Sequence, residues 1–259
     1  MRGARVRWLG VLLAALSIGW AHGAEPAAPV EGGVGPLVLV AGASGRTGRH
    51  VVTQLLEQGY RVRPLTTHAF RARERTGLEL DWLEVDVRDP QAVAVAMEGV
   101  EYVISTLGAR EWRGENSPRY VDYGGVRNLV DAAVTAGVRH FVLVSSAAAG
   151  PHRDHRDNPR LGYVLFWKTK GEAHLRASGL DYTIIGPGGL VDGPGGRAGI
   201  RVSRREEYRR AVITRADVAR LTIASLTEPG ALNKSFAVVN DDTLAPDDWV
   251  SQLRRLPTD

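Results

Sequence analysis

From Leu37 onward the chain alternates between short apolar runs and stretches carrying a one-sided apolar stripe, and no other feature limits its fold as strongly. The first run, LVLVA over 37–41, is unbroken, as expected of a strand covered on both faces. A helix follows over Arg46–Gln58, with Val51, Val52, Leu55 and Leu56 on one stripe and Gly59 as its stop. The same spacing predicts strands at Arg61–Leu65, Leu80–Val85, Tyr102–Ser105, His140–Ser145 and Tyr182–Ile185. Helices are predicted between them at Pro90–Met97, Tyr120–Ala136 and Phe166–Ala177. This rhythm gives an α/β fold, a doubly wound parallel sheet with helices on both faces. The tail reads as a small C-terminal cap: Val212-Ile213, helix Ala216–Leu226, strand Phe236–Val239 and helix Pro246–Leu253. With 44% hydrophobic and 24% charged residues, a disordered chain and a polytopic membrane protein are both excluded.

Ahead of this domain lies a segment with a different grammar. Met1–Arg7 is basic, Trp8–Ala21 is 14 residues of almost continuous apolar character, and Ala21-His22-Gly23-Ala24 is rich in small residues. That is the layout of a secretory signal peptide, and 14 helical residues fall short of a hydrocarbon core of about 30 Å. Three readings are open: a signal cleaved after Gly23 or Ala24 that leaves an exported or periplasmic protein, an uncleaved membrane anchor, and a start codon placed too early before a cytoplasmic enzyme. Residues 25–36 form a linker and 37–259 the folded domain. Any membrane contact is through the N-terminal segment alone. Without Arg2, Arg5 and Arg7 the chain has 30 basic against 29 acidic residues, which gives no footprint for nucleic acid. The absence of cysteine rules out disulfides, thiolate metal sites and cysteine nucleophiles. No feature sets an oligomeric state.

The turn after the first strand reads Gly42-Ala43-Ser44-Gly45-Arg46-Thr47-Gly48. Glycines here permit a sharp turn, close approach of backbone to a pyrophosphate, and tight packing of helix on sheet. The helix that follows offers its unpaired N–H groups to phosphate. Between a buried strand and an amphipathic helix, this G-x-x-G-x-x-G loop predicts a dinucleotide site. An acidic residue at the end of the second strand would bind a ribose 2′-hydroxyl, but Thr66-Thr67-His68 has none. Arg71 and Arg73 lie just beyond and Arg46 lies in the loop, so NADP is favoured over NAD; the competing reading is that these are solvated charges in a chain with 30 arginines.

Further motifs extend the pattern: Asp86-Val87-Arg88-Asp89, Ser105-Thr106-Leu107-Gly108, Val121-Asp122-Tyr123-Gly124, LVSS at 143–146, LRASGLDYTII at 175–185 and Arg215-Ala216-Asp217-Val218-Ala219. In this order the chain resembles the atypical short-chain dehydrogenase/reductases, Rossmann proteins, and among them the NmrA-like and biliverdin/flavin-reductase-like branch. The resemblance covers roughly 37–240. It implies that Asp86 and Val87 contact adenine, that Gly108 lies beside the adenosine, and that Ser145 and Pro187-Gly188-Gly189-Leu190 flank the nicotinamide. Many relatives use Tyr-x-x-x-Lys. Lys168 fits the lysine position and Glu172 also matches, but the tyrosine position is Val164, with Tyr163 one residue away and about 100° around a helix. Gly186 stands where relatives often carry arginine.

The catalytic candidates are therefore Ser145 and Lys168, and the expected activity is NAD(P)H-dependent reduction of a flavin- or quinone-like planar acceptor, which takes hydride directly and its proton from water. The alternative is an NADP-binding sensor or assembly factor without turnover; sugar epimerase or dehydratase chemistry needs the missing tyrosine. Three further segments compete with blander readings. His152–Asp157 contains a His-x-x-His but reads as a solvated loop, with no metal site expected. Arg201–Arg210 reads as a solvated mixed-charge face, with a docking patch for an anionic substrate, a partner or lipid head groups as the minor reading. Trp112 and Trp167 line either a substrate pocket or the core.

Overall fold

In the computed structural model, which describes residues 35–151 and 163–259, strand β1 (Leu37–Ala41) has Val38 through Ala41 fully buried. Its two faces enter different cores. Val38 and Val40 pack with Val51, Val52 and Leu55 of helix α1 (Gly48–Glu57), while Leu39 and Ala41 pack with residues of helices on the other side. This division is why the run is unbroken rather than alternating, since each buried aliphatic side chain contributes about 1.5–3 kcal/mol on either face.

The chain continues through β2 (Arg61–Thr66), α2 (Ala69–Thr76), β3 (Leu83–Glu84), α3 (Pro90–Ala96) and β4 (Tyr102–Ser105). A turn of π-helix over Arg119–Gly125 leads into α4 (Val126–Ala136), followed by β5 (His140–Val144), α5 (Val164–Arg176) and β6 (Tyr182–Pro187). Then come β7 (Gly189–Val191), β8 (Gly199–Ser203), β9 (Val212–Thr214), α6 (Arg215–Ala224), β10 (Lys234–Asp241) and α7 (Trp249–Arg255). The main sheet has the order β3-β2-β1-β4-β5-β6-β10-β8 and is parallel except for β8, which runs antiparallel to β10. The fold is thus the doubly wound α/β architecture expected. Neighbours β2 and β4 lie on opposite sides of β1, so the connections leave in opposite directions and open a crevice at the carboxyl ends of the strands.

The C-terminal segment has two parts. β10 and β8 extend the main sheet, while β7 and β9 pair in a separate parallel ribbon.

Several elements differ from expectation for physical reasons. The third strand, predicted over Leu80–Val85, pairs only through Leu83 and Glu84. Trp82 is buried and its indole N–H reaches back to the carbonyl of Leu78 at 3.1 Å, so the run closes as a turn. Helix α2 has no counterpart in the sequence reading, because only Ala72 is buried and there is no stripe to find. The helix predicted over Tyr120–Ala136 begins as π-helix, with the Tyr123 amide bonding to the carbonyl of Pro118. The expected His-x-x-His loop and the N-terminal segment lie outside the described residues. Among the described residues no helix is long and apolar enough to cross a membrane.

Candidate functional site

Gly42 leaves β1 with φ +78°, and a Cβ there would lie 2.9 Å from Thr106 Oγ1. The Gly45 amide closes the turn on the Gly42 carbonyl at 2.9 Å. At Gly48 a Cβ would come within 2.1 Å of that same carbonyl oxygen, so only glycine lets α1 start this close to the loop. No side chain caps α1 and no acidic residue stands in its first turn. Its positive end is thereby left to a ligand anion.

A cavity of about 340 Å³ opens over this loop. It brings together Gly42, Ser44, Gly45, Arg71, Asp86, Val87 and Gly108 from the expected set. Gly48 is buried beneath the loop, whereas Arg46 is exposed and neither it nor Thr47 lines the cavity. At Gly108, exposed in the cavity lining, a Cβ would meet no protein atom within 4 Å, so no packing demands glycine there. Ser44 Oγ lies 3.2 Å from Thr66 Oγ1, which fixes the end of β2 against the loop. The Asp86 carboxylate is held by Arg88, whose Nε donates to Oδ1 at 2.9 Å and Nη2 to Oδ2 at 2.5 Å. Those bonds keep Asp86 below the ordinary carboxylate range.

The cationic end of this cavity is richer than its sequence signal. Arg75, which sequence reasoning missed, donates through Nη1 to the Ser44 carbonyl at 3.3 Å. Burial and the charges of Arg110 and Arg71 lower its pKa, so the three guanidiniums share one region. No described carboxylate pairs with any of them; Asp86 and Glu115 are both turned to Arg88. Arg75 sits in the unpredicted α2, and Arg110 in the loop after Gly108.

The expected nicotinamide end is built on β5, β6 and α5. Lys168 Nζ stands 2.8 Å from Asp122 Oδ1 and 3.3 Å from the Leu107 carbonyl, with Asp122 wholly buried. The other Asp122 oxygen accepts from the Ala109 amide at 2.9 Å. Asp122 is a residue the motifs contained but did not single out; the π-helix turns it inward. Ser145 Oγ donates to Glu172 Oε1 at 2.5 Å, and Glu172 is fully buried. The Ala147 amide takes the Pro187 carbonyl at 2.8 Å, and the Gly188 amide takes the Val238 carbonyl at 2.9 Å. A Cβ at Gly188 would lie 2.4 Å from the Ala211 carbonyl oxygen, while Leu190 is exposed on the β7–β9 ribbon. Val164 opens α5, and Tyr163 precedes it in the left-handed region at φ 56°.

One expectation is corrected here, and two tryptophans left open between pocket and core are located. Within Arg201–Arg210, Arg205 is buried rather than solvated, and it pairs with Glu172 at 2.8 Å. Trp167 stacks on Tyr123 with ring centroids 5.9 Å apart and meets Phe166 edge-on, in an aromatic cluster outside the lining of the cavity over the glycine loop. Trp112 is exposed and also lies outside the cavity lining.

The glycine cradle, the uncapped helix and the open space at Gly108 fit a dinucleotide. Comparison with known proteins agrees. The profile of a family described as NAD(P)H-binding matches residues 42–229. A Bacillus subtilis protein named as an uncharacterised sugar epimerase, YhfK, is 31% identical over 215 residues, covering 80% of this chain and 95% of its own. Sanguinarine reductase of Eschscholzia californica is 30% identical over 239 residues, covering 77% and 87%. The solved structure of ChuY, an anaerobillin reductase of Escherichia coli O157:H7, matches with a TM-score of 0.66 and 27% identity over 81% of this chain and 99% of ChuY. With its motifs, strand order and glycine cradle, the chain belongs to the NAD(P)H-binding, oxidoreductase-type family of Rossmann proteins, on the atypical short-chain dehydrogenase/reductase branch.

Proposed function

We propose that the protein is an NADPH-dependent reductase of a flavin- or quinone-like planar acceptor. The observation that carries this reading is the composition of the expected nicotinamide end: Ser145 is bonded to Glu172 and Lys168 is paired with Asp122, while Val164 stands where the acid that reduces an ordinary carbonyl would be. When bound, the coenzyme supplies hydride. The chain's own residues bind and orient. Gly42, Ser44, Gly45 and the start of α1 would hold the pyrophosphate, and Asp86, Val87 and Gly108 would border the adenosine. Arg71 and Arg110 line the cavity with Arg75 close enough to feel both charges, and no described carboxylate pairs with them; such a cluster suits a 2′-phosphate and favours NADP over NAD. Lys168 is ion-paired to Asp122 and donates one N–H to the Leu107 carbonyl, and a remaining N–H would meet the nicotinamide ribose. Two relatives named as reductases support the chemistry.

The test is a titration of the purified protein with NADPH and NADH, followed by coenzyme oxidation with riboflavin and a naphthoquinone. Tighter NADPH binding and turnover are expected. NADPH binding without turnover on either acceptor would replace the reductase by a nucleotide sensor or assembly factor.

A further inference from the structure

Gly186 and Arg205 share one space. A Cβ at Gly186 would lie 2.3 Å from Arg205 Nη1 and 2.7 Å from its Cζ, so the guanidinium rests on the bare backbone of β6. Its Nη2 donates to Glu172 Oε1 and to the Ala149 carbonyl, each at 2.8 Å. Nε and Nη1 are buried with no hydrogen-bond partner among the described residues. Stability does not account for this arrangement. A buried ion pair is often replaceable by apolar groups without loss, and orphaned buried donors are a cost. The same Glu172 oxygen that Arg205 holds accepts the hydroxyl of Ser145. A serine has one proton to give. Once Glu172 takes it, Ser145 offers only lone pairs to the crevice.

We infer that Arg205 is a positioning residue which, through Glu172, makes Ser145 a hydrogen-bond acceptor toward the reductive end. The inference rests on the reductase reading. The acceptor gains two electrons and one hydrogen as hydride, the coenzyme is oxidised by the same amount, and a neutral acceptor takes its remaining proton from water. Ser145 supplies none. An isolated aldehyde, which needs an acid at its oxygen, is a poor substrate for such a site.

The experiment uses the full chain and the variants Arg205→Met, Arg205→Lys, Gly186→Ala and the double variant Gly186→Ala/Arg205→Met. Thermal midpoint, emission of bound NADPH, and NADPH oxidation with riboflavin, a naphthoquinone and benzaldehyde are read for each. R205M is expected to lower flavin and quinone turnover at least tenfold and to change the emission of bound NADPH, with affinity within about threefold of wild type. Lysine, which keeps one donor for Glu172, restores part of the turnover. G186A reproduces R205M because its methyl evicts the guanidinium, and the double variant is no worse than R205M in any readout. Additive losses in the double variant, unchanged emission and turnover in R205M, or preferential benzaldehyde reduction by the wild type would each overturn the inference. If no acceptor is reduced, the reductase reading fails by itself, and the non-additivity in emission and midpoint still tests the Gly186–Arg205 relationship.

Discussion

Lys168 Nζ lies 2.8 Å from Asp122 Oδ1, across the gap between α5 and the π-helix, and this pair ties the two ends of the crevice together. The Lys168 ammonium also holds the Leu107 carbonyl, and Asp122 holds the Ala109 amide on the loop that follows β4. Because Asp122 has no exposure, removing it strands a partly buried lysine. Asp122→Ala is expected to lower stability by about 3–5 kcal/mol and to weaken NADPH binding. Asp122→Asn, which keeps an oxygen for Ala109, should lose less; chemical denaturation and nucleotide titration check both.

Guanidiniums at the cationic end of the cavity should set coenzyme choice. Arg71→Ala and Arg110→Ala, which both remove a guanidinium from the cavity lining, are each expected to weaken NADPH binding about tenfold, the equivalent of about 1.4 kcal/mol, with little change for NADH. Arg46→Ala should leave the ratio nearly unchanged, since Arg46 is exposed outside the cavity lining. Paired titrations with the two coenzymes decide it.

Two glycines should separate folding from binding. Gly48→Ala forces a Cβ to within 2.1 Å of a backbone oxygen that cannot swing away, and a loss of about 2 kcal/mol or more is expected along with nucleotide affinity. Gly108→Ala meets no protein atom, so stability should stay within about 0.5 kcal/mol while affinity falls. Comparing midpoint with dissociation constant for the two variants tells them apart.

A buried histidine should make stability depend on pH. His140 Nε2 lies 2.9 Å from Thr183 Oγ1, and that hydroxyl already donates to the Ala231 carbonyl at 2.8 Å, so the ring nitrogen is the donor. Burial pushes the His140 pKa down to about 4. The unfolded chain therefore binds the extra proton first as pH falls below about 6.5. The His140 contribution is complete above that pH and is lost progressively toward pH 4, by about 3 kcal/mol in all. His140→Asn should flatten this part of the slope, as urea midpoints at pH 7 and pH 5 would reveal.

The sheet was readable in the sequence wherever burial was two-sided. LVLVA at 37–41, HFVLV at 140–144 and YTII at 182–185 carry that signature because both faces of each strand are covered. The glycine loop was readable because close backbone approach leaves glycine as the only choice. What escaped was set by contacts between distant segments. Arg75 gives no periodic signal on a helix with one buried residue. Arg205 is one arginine among five in 201–210, and only the vacancy over Gly186 distinguishes it. Asp122 needed the π-helix to turn it inward, and no residue spacing announces that turn.

The placement of β10 between β6 and β8 has a consequence for synthesis. β8 is made first but has no sheet neighbour other than β10, which follows 30 residues later along the chain from Ser203 to Lys234. While the chain emerges, the nucleotide cradle of β1, α1 and β2 can close early, but β6 remains an open edge, the kind of surface that pairs with other chains. The floor under Arg205 is made before Arg205 itself, but β6, the strand that carries it, gains its second neighbour only when Lys234–Asp241 has been made.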